Sequence, residues 1–439
     1  MSNLENMPET QQKAQSKTQP ETRPGNRPRN QLEEHSEVNS VLHHRRQFSA
    51  LSGKQYFNYG GQGPMADSVI ASMHQAQLKI QQEGPFSRTV GDWLAAEGEQ
   101  IRGAIARTVG AAPETITLTE NVTMGCNIPM WGLDWQAGDR ILIGDCEHPG
   151  VIAGVREISR RYGVAVDTCP ISNWTFSDRL KGGDPLEMVT KTLTPQTRLV
   201  VLSHILWNTG QLLPLKELVD ICHANSPQTK VLIDAAQSVG SLPLDQPGWT
   251  LPETGVDYYA FTGHKWCCGP AGLGGLYTSA KVLAETAPTF IGWRGVEMDG
   301  QGAPTGWKPD GRRFEVATSD YGLWVALRES LKIQSDWGSS QARYDRICEL
   351  SARLWSGLKN SSSVRCLLQD APPPSGLVSF QLLNRAGQPD IEKHSALVRQ
   401  LETEKVYLRT LLSPNCIRAC VHYLTTAAEV DQLIEKIAT

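Results

Sequence analysis

The 439-residue chain has no apolar run long enough to cross a bilayer. No apolar core of a secretory leader follows its first methionine. It has no charge excess: 42 basic against 46 acidic residues leave a formal net charge of -4, so nothing global draws it to nucleic acid or to an anionic membrane. The ten cysteines include no Cys-x-x-Cys pair and no Cys/His spacing of a zinc site, so no metal is expected. Scattered thiols of this kind suit a reducing, cytoplasmic compartment. Residues 1–40 lack aromatic side chains and hold few aliphatic ones. Such a segment buries too little apolar surface to offset its ordering entropy, and a disordered tail is expected over residues 1–46. Its acidic residues argue against a transit peptide.

From Gln55 onward the texture is that of a folded protein, with 40% hydrophobic and 20% charged residues in the whole chain. Short β-rich runs are expected at Ile116–Leu118, Arg140–Ile143, Ala165–Thr168, Leu199–Ser203, Val231–Asp234, Tyr258–Thr262 and Gly274–Tyr277. Several are continuously apolar, as strands buried on both faces are. Helical stretches such as Pro149–Tyr162 and Leu215–Ala224 lie between them. This alternation predicts an α/β fold with a mostly parallel sheet covered by helices, and a site beyond the carboxyl ends of its strands. A seven-stranded sheet is assigned to a large domain over residues 67–304. A small α+β domain is assigned to residues 47–66 and 305–439. Within it a long helical region covers Tyr321–Leu358, strand-like runs cover Leu377–Leu382, Val406–Thr410 and Ile417–Tyr423, and helices lie at Ile391–Glu404 and from Ala427.

Three features fall at predicted strand ends. The first, Val231-Leu-Ile-Asp234-Ala-Ala-Gln237, closes a buried strand with an acid, which is costly without a cationic partner. Taken alone, Asp234 also reads as the cap of a following helix. The second, Thr262-Gly-His264-Lys265 before a Gly-rich turn, holds a lysine that taken alone reads as a solvated surface residue. The third, Thr119-Glu-Asn-Val122-Thr123-Met-Gly125, opens a helix, whose free N–H groups make a ready phosphate site. Thr123 reads equally as its N-cap.

Together these features resemble the class V group of fold-type I PLP (pyridoxal 5'-phosphate) enzymes, which includes the cysteine desulfurases. The resemblance runs from Tyr56 to the C-terminus. It implies the fold-type I transferase fold and assigns roles by position. Lys265 matches the Schiff-base lysine, and Asp234 the acid that keeps the pyridine nitrogen protonated. Gln237 matches the amide at the ring hydroxyl. His148, in Asp145-Cys-Glu-His148-Pro, matches the histidine stacked on the ring, although it also reads as an ordinary helix-start residue. Val122, Thr123, Thr262 and His264 match the phosphate contacts. In Ser203-His-Ile-Leu-Trp207-Asn208-Thr-Gly210, Trp207 stands where many relatives place asparagine, and Asn208 is taken as the neighbour that reaches the cofactor hydroxyl.

For the substrate, Arg418 resembles the carboxylate-binding arginine and Arg409 a second active-site arginine; a planar guanidinium suits a carboxylate, and a structural ion pair is the plainer alternative for each. Relatives that transfer sulfur carry a nucleophilic cysteine on a sizeable loop between the two arginines. Here the gap is Thr410–Ile417, and Cys416 lies only two positions before Arg418, so a structural cysteine is expected. The chain also resembles the cyanobacterial-type cysteine/cystine C–S lyases at Tyr56–Pro64, Gly84–Ser87, Trp207–Gly210 and Ile291–Gly295. Gly60, Gly61 and Trp293 lie in segments that match substrate-pocket segments. The resemblance places Trp293 in the pocket of a partner subunit, implying a homodimer with shared sites. Packing in the dimer is its plainer role. The implied reaction is β-elimination on cystine or cysteine to give pyruvate, ammonia and a persulfide or sulfide. An iron–sulfur or other persulfide acceptor is the implied destination of the sulfur. A cysteine desulfurase or an epimerase of the same class is the alternative, and a non-catalytic scaffold fits poorly with an intact Lys265, Asp234 and His148.

Overall fold

The computed structural model describes residues 40–172 and 183–438. Most of the expected tail lies outside the described residues, but its last part does not fit that expectation. Residues 41–45 are helical, and Arg45 donates to the Leu424 carbonyl (2.7 Å) and pairs with Glu429 (2.6 Å). A polar side chain fixed by a remote carbonyl and carboxylate orders this stretch, which composition alone conceals.

The first strand, β1 (Gln55–Tyr56), precedes the main sheet. The sheet's strands are β2 (Ile116–Thr119), β3 (Arg140–Gly144), β4 (Ala165–Cys169), β5 (Thr197–Ser203), β6 (Lys230–Asp234), β7 (Tyr258–Thr262) and β8 (Gly274–Thr278). They lie in the order β2-β8-β7-β6-β5-β3-β4. The run from β7 to β4 is parallel, and β8 is antiparallel to both its neighbours. The mostly parallel seven-stranded sheet is therefore present, with ends within about two residues of the expected ones. Every residue of β6 and β7 is buried. Successive side chains of a strand point to opposite faces. Leu142, Val200, Leu202, Ile233 and Tyr259 enter one apolar cluster, whereas Ile141, Ile143, Val201, Leu232 and Tyr258 enter another. Helices thus cover both faces, which explains why these strands read as unbroken apolar runs.

The helix Pro149–Tyr162 begins with proline at its first position and ends at Gly163, whose φ of 67° is left-handed. Its buried Val151, Val155 and Ile158 recur at spacings of four and three, the stripe that faces the sheet.

Beyond the sheet, β9 (Val296–Met298) and β10 (Pro304–Trp307) form an antiparallel hairpin. Then come β11 (Val364–Cys366), β12 (Leu377–Leu382), β13 (Val406–Tyr407), β14 (Arg409–Leu412) and β15 (Asn415–Cys420). Four of them make an antiparallel sheet in the order β11-β12-β15-β14, while β13 pairs in parallel with β1. The single strand expected over Val406–Thr410 is therefore two, because its halves find different partners. The expected Tyr321–Leu358 helix is also two, Tyr321–Trp337 and Ser340–Lys359. It breaks at Gly338, and the Ser339 hydroxyl caps the second helix by accepting from the Ala342 N–H (3.1 Å). A bridge from Asn58 to Cys420 lays the Gly60–Gly61 turn beside β15.

Candidate active site

Three neighbouring parallel strands end in polar residues: Ser203 on β5, Asp234 on β6 and Thr262 on β7. Asp234 lies opposite Ser203 in the ladder, and the Ala236 N–H donates to its Oδ1 (2.9 Å). No regular helix follows Asp234, so it is not a helix cap. The helix Val122–Gly132 starts just after β2, with Asn121 as its cap in place of Thr123; the Asn121 Oδ1 accepts from the Met124 N–H (3.0 Å). The first-turn N–H groups of Val122 and Thr123 have no acceptor within the helix. Gly125 lets this helix come close to β7: a Cβ there would meet the Ala260 Cβ at 2.9 Å.

Lys265 follows β7 by three residues. Burial pushes its amine down to about 8, and the Asp234 carboxylate opposes that shift. Thr262 Oγ1 and His264 Nδ1 lie 2.6 Å apart, and burial lowers the pKa of His264. His148 caps the helix Pro149–Tyr162, its Nδ1 accepting from the Gly150 N–H (3.1 Å). That bond leaves the proton of the neutral ring on Nε2, and burial lowers the ring pKa. A Cβ on Gly150 would meet both Thr123 Oγ1 (3.2 Å) and His148 Nδ1 (3.3 Å), so the helix start and the histidine adjoin.

A cavity of about 580 Å³ brings together Gly60, Gly61, His148, Asn208, Gln237, Lys265, Arg409 and Arg418, all of them predicted from sequence. Arg418 is 1% exposed. Its Nη1 donates to the Trp207 carbonyl (2.6 Å), while Nε and Nη2 are buried without partners. Two unmatched donors on one guanidinium are the fork that a carboxylate fills. A Cβ at Gly60 would meet Arg418 Nη2, Cys420 Sγ and Gln237 Oε1 at 3.0 Å each, so any larger residue would crowd this end of the cavity. Gln237 is held at both ends of its amide: Nε2 donates to the Gly60 carbonyl (3.0 Å) and Oε1 accepts from Trp266 Nε1 (2.7 Å). Asn208 Nδ2 donates weakly to the Ser413 carbonyl (3.4 Å), and its Oδ1 is a buried orphan acceptor.

Val122, Thr123, Asp234, Thr262 and His264 are not among the residues that line this cavity. Trp293 is not brought to the site of its own chain and is 55% exposed. Cys416 lies in β15 opposite Leu411, is 0% exposed, and packs with Leu367 and Leu411. Burial pushes its thiol up to about 12.

Sequence reasoning gave no role at the site to Asp145, Glu147 or Trp207, which also line the cavity. Asp145 accepts from the Ser172 N–H (3.2 Å) and hydroxyl (2.6 Å). Glu147 accepts from the Ser203 N–H (3.1 Å) and hydroxyl (2.6 Å), and burial pushes its carboxyl up to about 8. Trp207 stands edge-on to His148 (5.7 Å, 72°) and donates from Nε1 to the Cys146 carbonyl (2.9 Å). The signal was two acids flanking Cys146 directly after a buried strand.

These features fit PLP. A helix start with free N–H groups suits a phosphate, a buried carboxylate near a half-buried lysine suits a pyridinium nitrogen, and the orphan Asn208 Oδ1 suits a ring hydroxyl.

The Aminotransferase class-V family profile matches residues 61–433. A solved complex of the cystine C-S lyase C-DES with its reaction product cysteine persulfide is 43% identical, with a TM-score of 0.82, covering 89% of this chain and 99% of that one. A lysine-to-alanine variant of C-DES with glycine covalently linked to the PLP cofactor is likewise 43% identical, with a TM-score of 0.82, covering 90% and 98%. An isopenicillin N epimerase of Streptomyces clavuligerus is 29% identical over 350 residues, covering 77% of this chain and 83% of the relative.

Proposed function

The chain belongs to the class-V aminotransferase family of PLP-dependent enzymes, and on that premise we propose that it is a carbon–sulfur lyase performing β-elimination on cystine or cysteine. The observation that carries this reading is the Arg409-to-Arg418 segment. It is spent on the β14–β15 hairpin, and Cys416 is a core residue of that hairpin. A mobile thiol between the arginines, which sulfur transfer needs, has no place there. Cys146 lines the cavity but is a poor substitute, because burial and the neighbouring Glu147 and Asp145 hold its thiol well above the usual range. The likeness to the cystine lyase C-DES points the same way.

The residues divide the work as follows. Val122, Thr123, Thr262 and His264 hold the phosphate, Asp234 the ring nitrogen, His148 one ring face, and Asn208 and Gln237 the ring hydroxyl side. Bound at Lys265, PLP supplies an electron sink for charge that develops at the substrate Cα. Arg418 takes the substrate carboxylate on its free Nε and Nη2, fixing the Cα–H bond toward Lys265. Lys265 removes the Cα proton; a pKa pushed down to about 8 keeps part of its amine neutral at physiological pH. The sulfur then leaves Cβ with the bonding pair. With cystine and one water the products are pyruvate, ammonia and cysteine persulfide, with no net oxidation. A persulfide is a better leaving group than a thiolate, which favours cystine over cysteine. The released persulfide is in a form that an iron–sulfur or other acceptor takes up.

A homodimer is part of this reading. Phe290, Ile291, Trp293, Met298 and Trp307 expose large apolar side chains in and around the β9–β10 hairpin. Covering them against a second copy would seat Trp293 at the partner's site. The test is to incubate the purified protein with a panel of amino acids, cystine included, and assay the products. Pyruvate, ammonia and sulfane sulfur support the lyase. Alanine in place of pyruvate would establish a desulfurase, and racemised amino acid without pyruvate an epimerase.

A further inference from the structure

We propose that Trp266 is a positioning residue for the cofactor: its indole N–H locks the side-chain amide of Gln237 in the one orientation that presents an N–H donor to the ring oxygen. The proposal rests on the reading that Gln237 faces the ring hydroxyl. It adds the polarity of that contact and the residue that sets it.

An amide has unlike ends, an acceptor oxygen and a nitrogen with two N–H donors. Gln237 meets a partner at each end whose chemistry leaves no choice. Trp266 Nε1 only donates, and it lies 2.7 Å from Oε1. The Gly60 carbonyl only accepts, and it lies 3.0 Å from Nε2. A turned-over amide would set N–H against N–H and oxygen against oxygen, and both side chains are buried, with no bulk water to relieve them. One N–H of Nε2 goes to Gly60, and one remains. Gln237 lines the cavity, so a ring oxygen there meets a donor. Asn208 Oδ1, the orphan on the same cavity, is an acceptor. A ring hydroxyl that accepts from Gln237 and donates to Asn208 satisfies both.

The indole is itself fixed. Its main-chain carbonyl accepts from Gln334 Nε2 (2.8 Å) and from His422 Nε2 (3.2 Å). Burial pushes His422 down to about 3, so its ring is neutral; Nδ1 accepts from the Leu424 N–H (3.4 Å), which leaves the proton on Nε2 to donate. Tyr59 stacks on the indole (centroids 6.4 Å apart, 27°). A Cβ at Gly376 would meet the indole Cη2 at 2.5 Å, so the glycine makes room for the ring. A donor held this firmly orients the amide before the cofactor arrives.

A donor N–H favours the ionised form of the oxygen it meets, so its loss raises the pH at which the lysine-bound cofactor gives up its proton. Without the indole donor Oε1 is a buried acceptor with no partner, and the amide turns to relieve it. The test follows the visible absorbance of the PLP-loaded protein against pH. The variants are Gln237→Leu, Trp266→Phe, and one that carries benzothienylalanine at position 266. In the last, sulfur replaces the indole N–H and the ring keeps its shape, so it stands in wherever the smaller Phe spoils the fold. Each position-266 variant is also combined with Gln237→Leu; Asp234, His148, Lys265 and Arg418 are the same throughout. The midpoint is expected to rise by about one pH unit in Gln237→Leu, the size of one hydrogen bond to a charged group, and by about half a unit or more in the position-266 variants. In the combined variants it rises no further than in Gln237→Leu alone. A parental midpoint in the benzothienylalanine variant, or shifts that add in the combined ones, would overturn the role of Trp266 while leaving Gln237 at the ring. A parental midpoint in Gln237→Leu would overturn both.

Discussion

The Arg418 guanidinium is tethered through one nitrogen to the main-chain carbonyl of Trp207, at 2.6 Å. The same tryptophan stands edge-on to His148. One residue of the β5-side loop thus contacts both the proposed carboxylate anchor and the candidate ring-stacking histidine. The tether sacrifices one donor and leaves Nε and Nη2 for the substrate. Lysine in place of Arg418 keeps the charge but cannot hold both the carbonyl and a two-point contact. In Arg418→Lys, kcat/KM for cystine is expected to fall about 10- to 100-fold, the loss of one charge-assisted hydrogen bond, with KM rising. Steady-state kinetics at fixed pH checks it.

Lys265→Ala removes the residue proposed as both covalent anchor and base. Elimination is expected to fall by at least about 10²- to 10⁴-fold, the usual worth of a positioned base. The visible absorbance of lysine-bound cofactor disappears while the far-ultraviolet circular dichroism stays unchanged. Retained turnover would remove Lys265 from the mechanism.

Glu147 gives a pH signature. Its carboxyl is raised from the ordinary glutamate range to about 8, chiefly by burial. A native-state pKa above the unfolded one means that the folded chain binds the proton more tightly. The associated stability is fully present below about 4.5, the unfolded value, and is lost as pH rises to about 8. Glu147→Gln keeps a neutral hydrogen-bonding group. Its stability relative to the parent, followed by melting temperature, is expected to climb between pH 5 and 8 and then level off, by an amount on the order of a few kcal/mol at most. A parallel pair of pH curves would contradict this.

Much of this was legible in the sequence. The buried strands of the main sheet, near-continuous apolar runs ended by Asp234 and Thr262, announced both the sheet and the edge where its chemistry sits. The helix Pro149–Tyr162 was bounded by its own Pro and Gly signals. Less legible were features set by distant partners. The helix at residues 41–45 is fixed by Glu429, and the β13/β14 division by β1 and β15. Asp145 and Glu147 sit in a quoted motif, but only the packing separates a solvent-facing carboxylate on Ser172 from a buried one on Ser203. Two long helices also escaped the sequence reading: Asp67–Glu83 buries only Val69 and Ala76, and Arg88–Thr108 interrupts its stripe of Val90, Ile101 and Ile105 with Glu97 and Arg102, charged residues buried because they pair with Arg328 and Glu315.

The central claim is that Lys265 drives an elimination that needs no cysteine nucleophile. It is tested most directly by Cys416→Ser, assayed with cystine for pyruvate and sulfane sulfur. The account predicts that pyruvate and sulfane sulfur still form in equal amounts, at a rate within about threefold of the parent, because the thiol is a packed core group. Loss of sulfur release in a folded, PLP-loaded Cys416→Ser protein would contradict it.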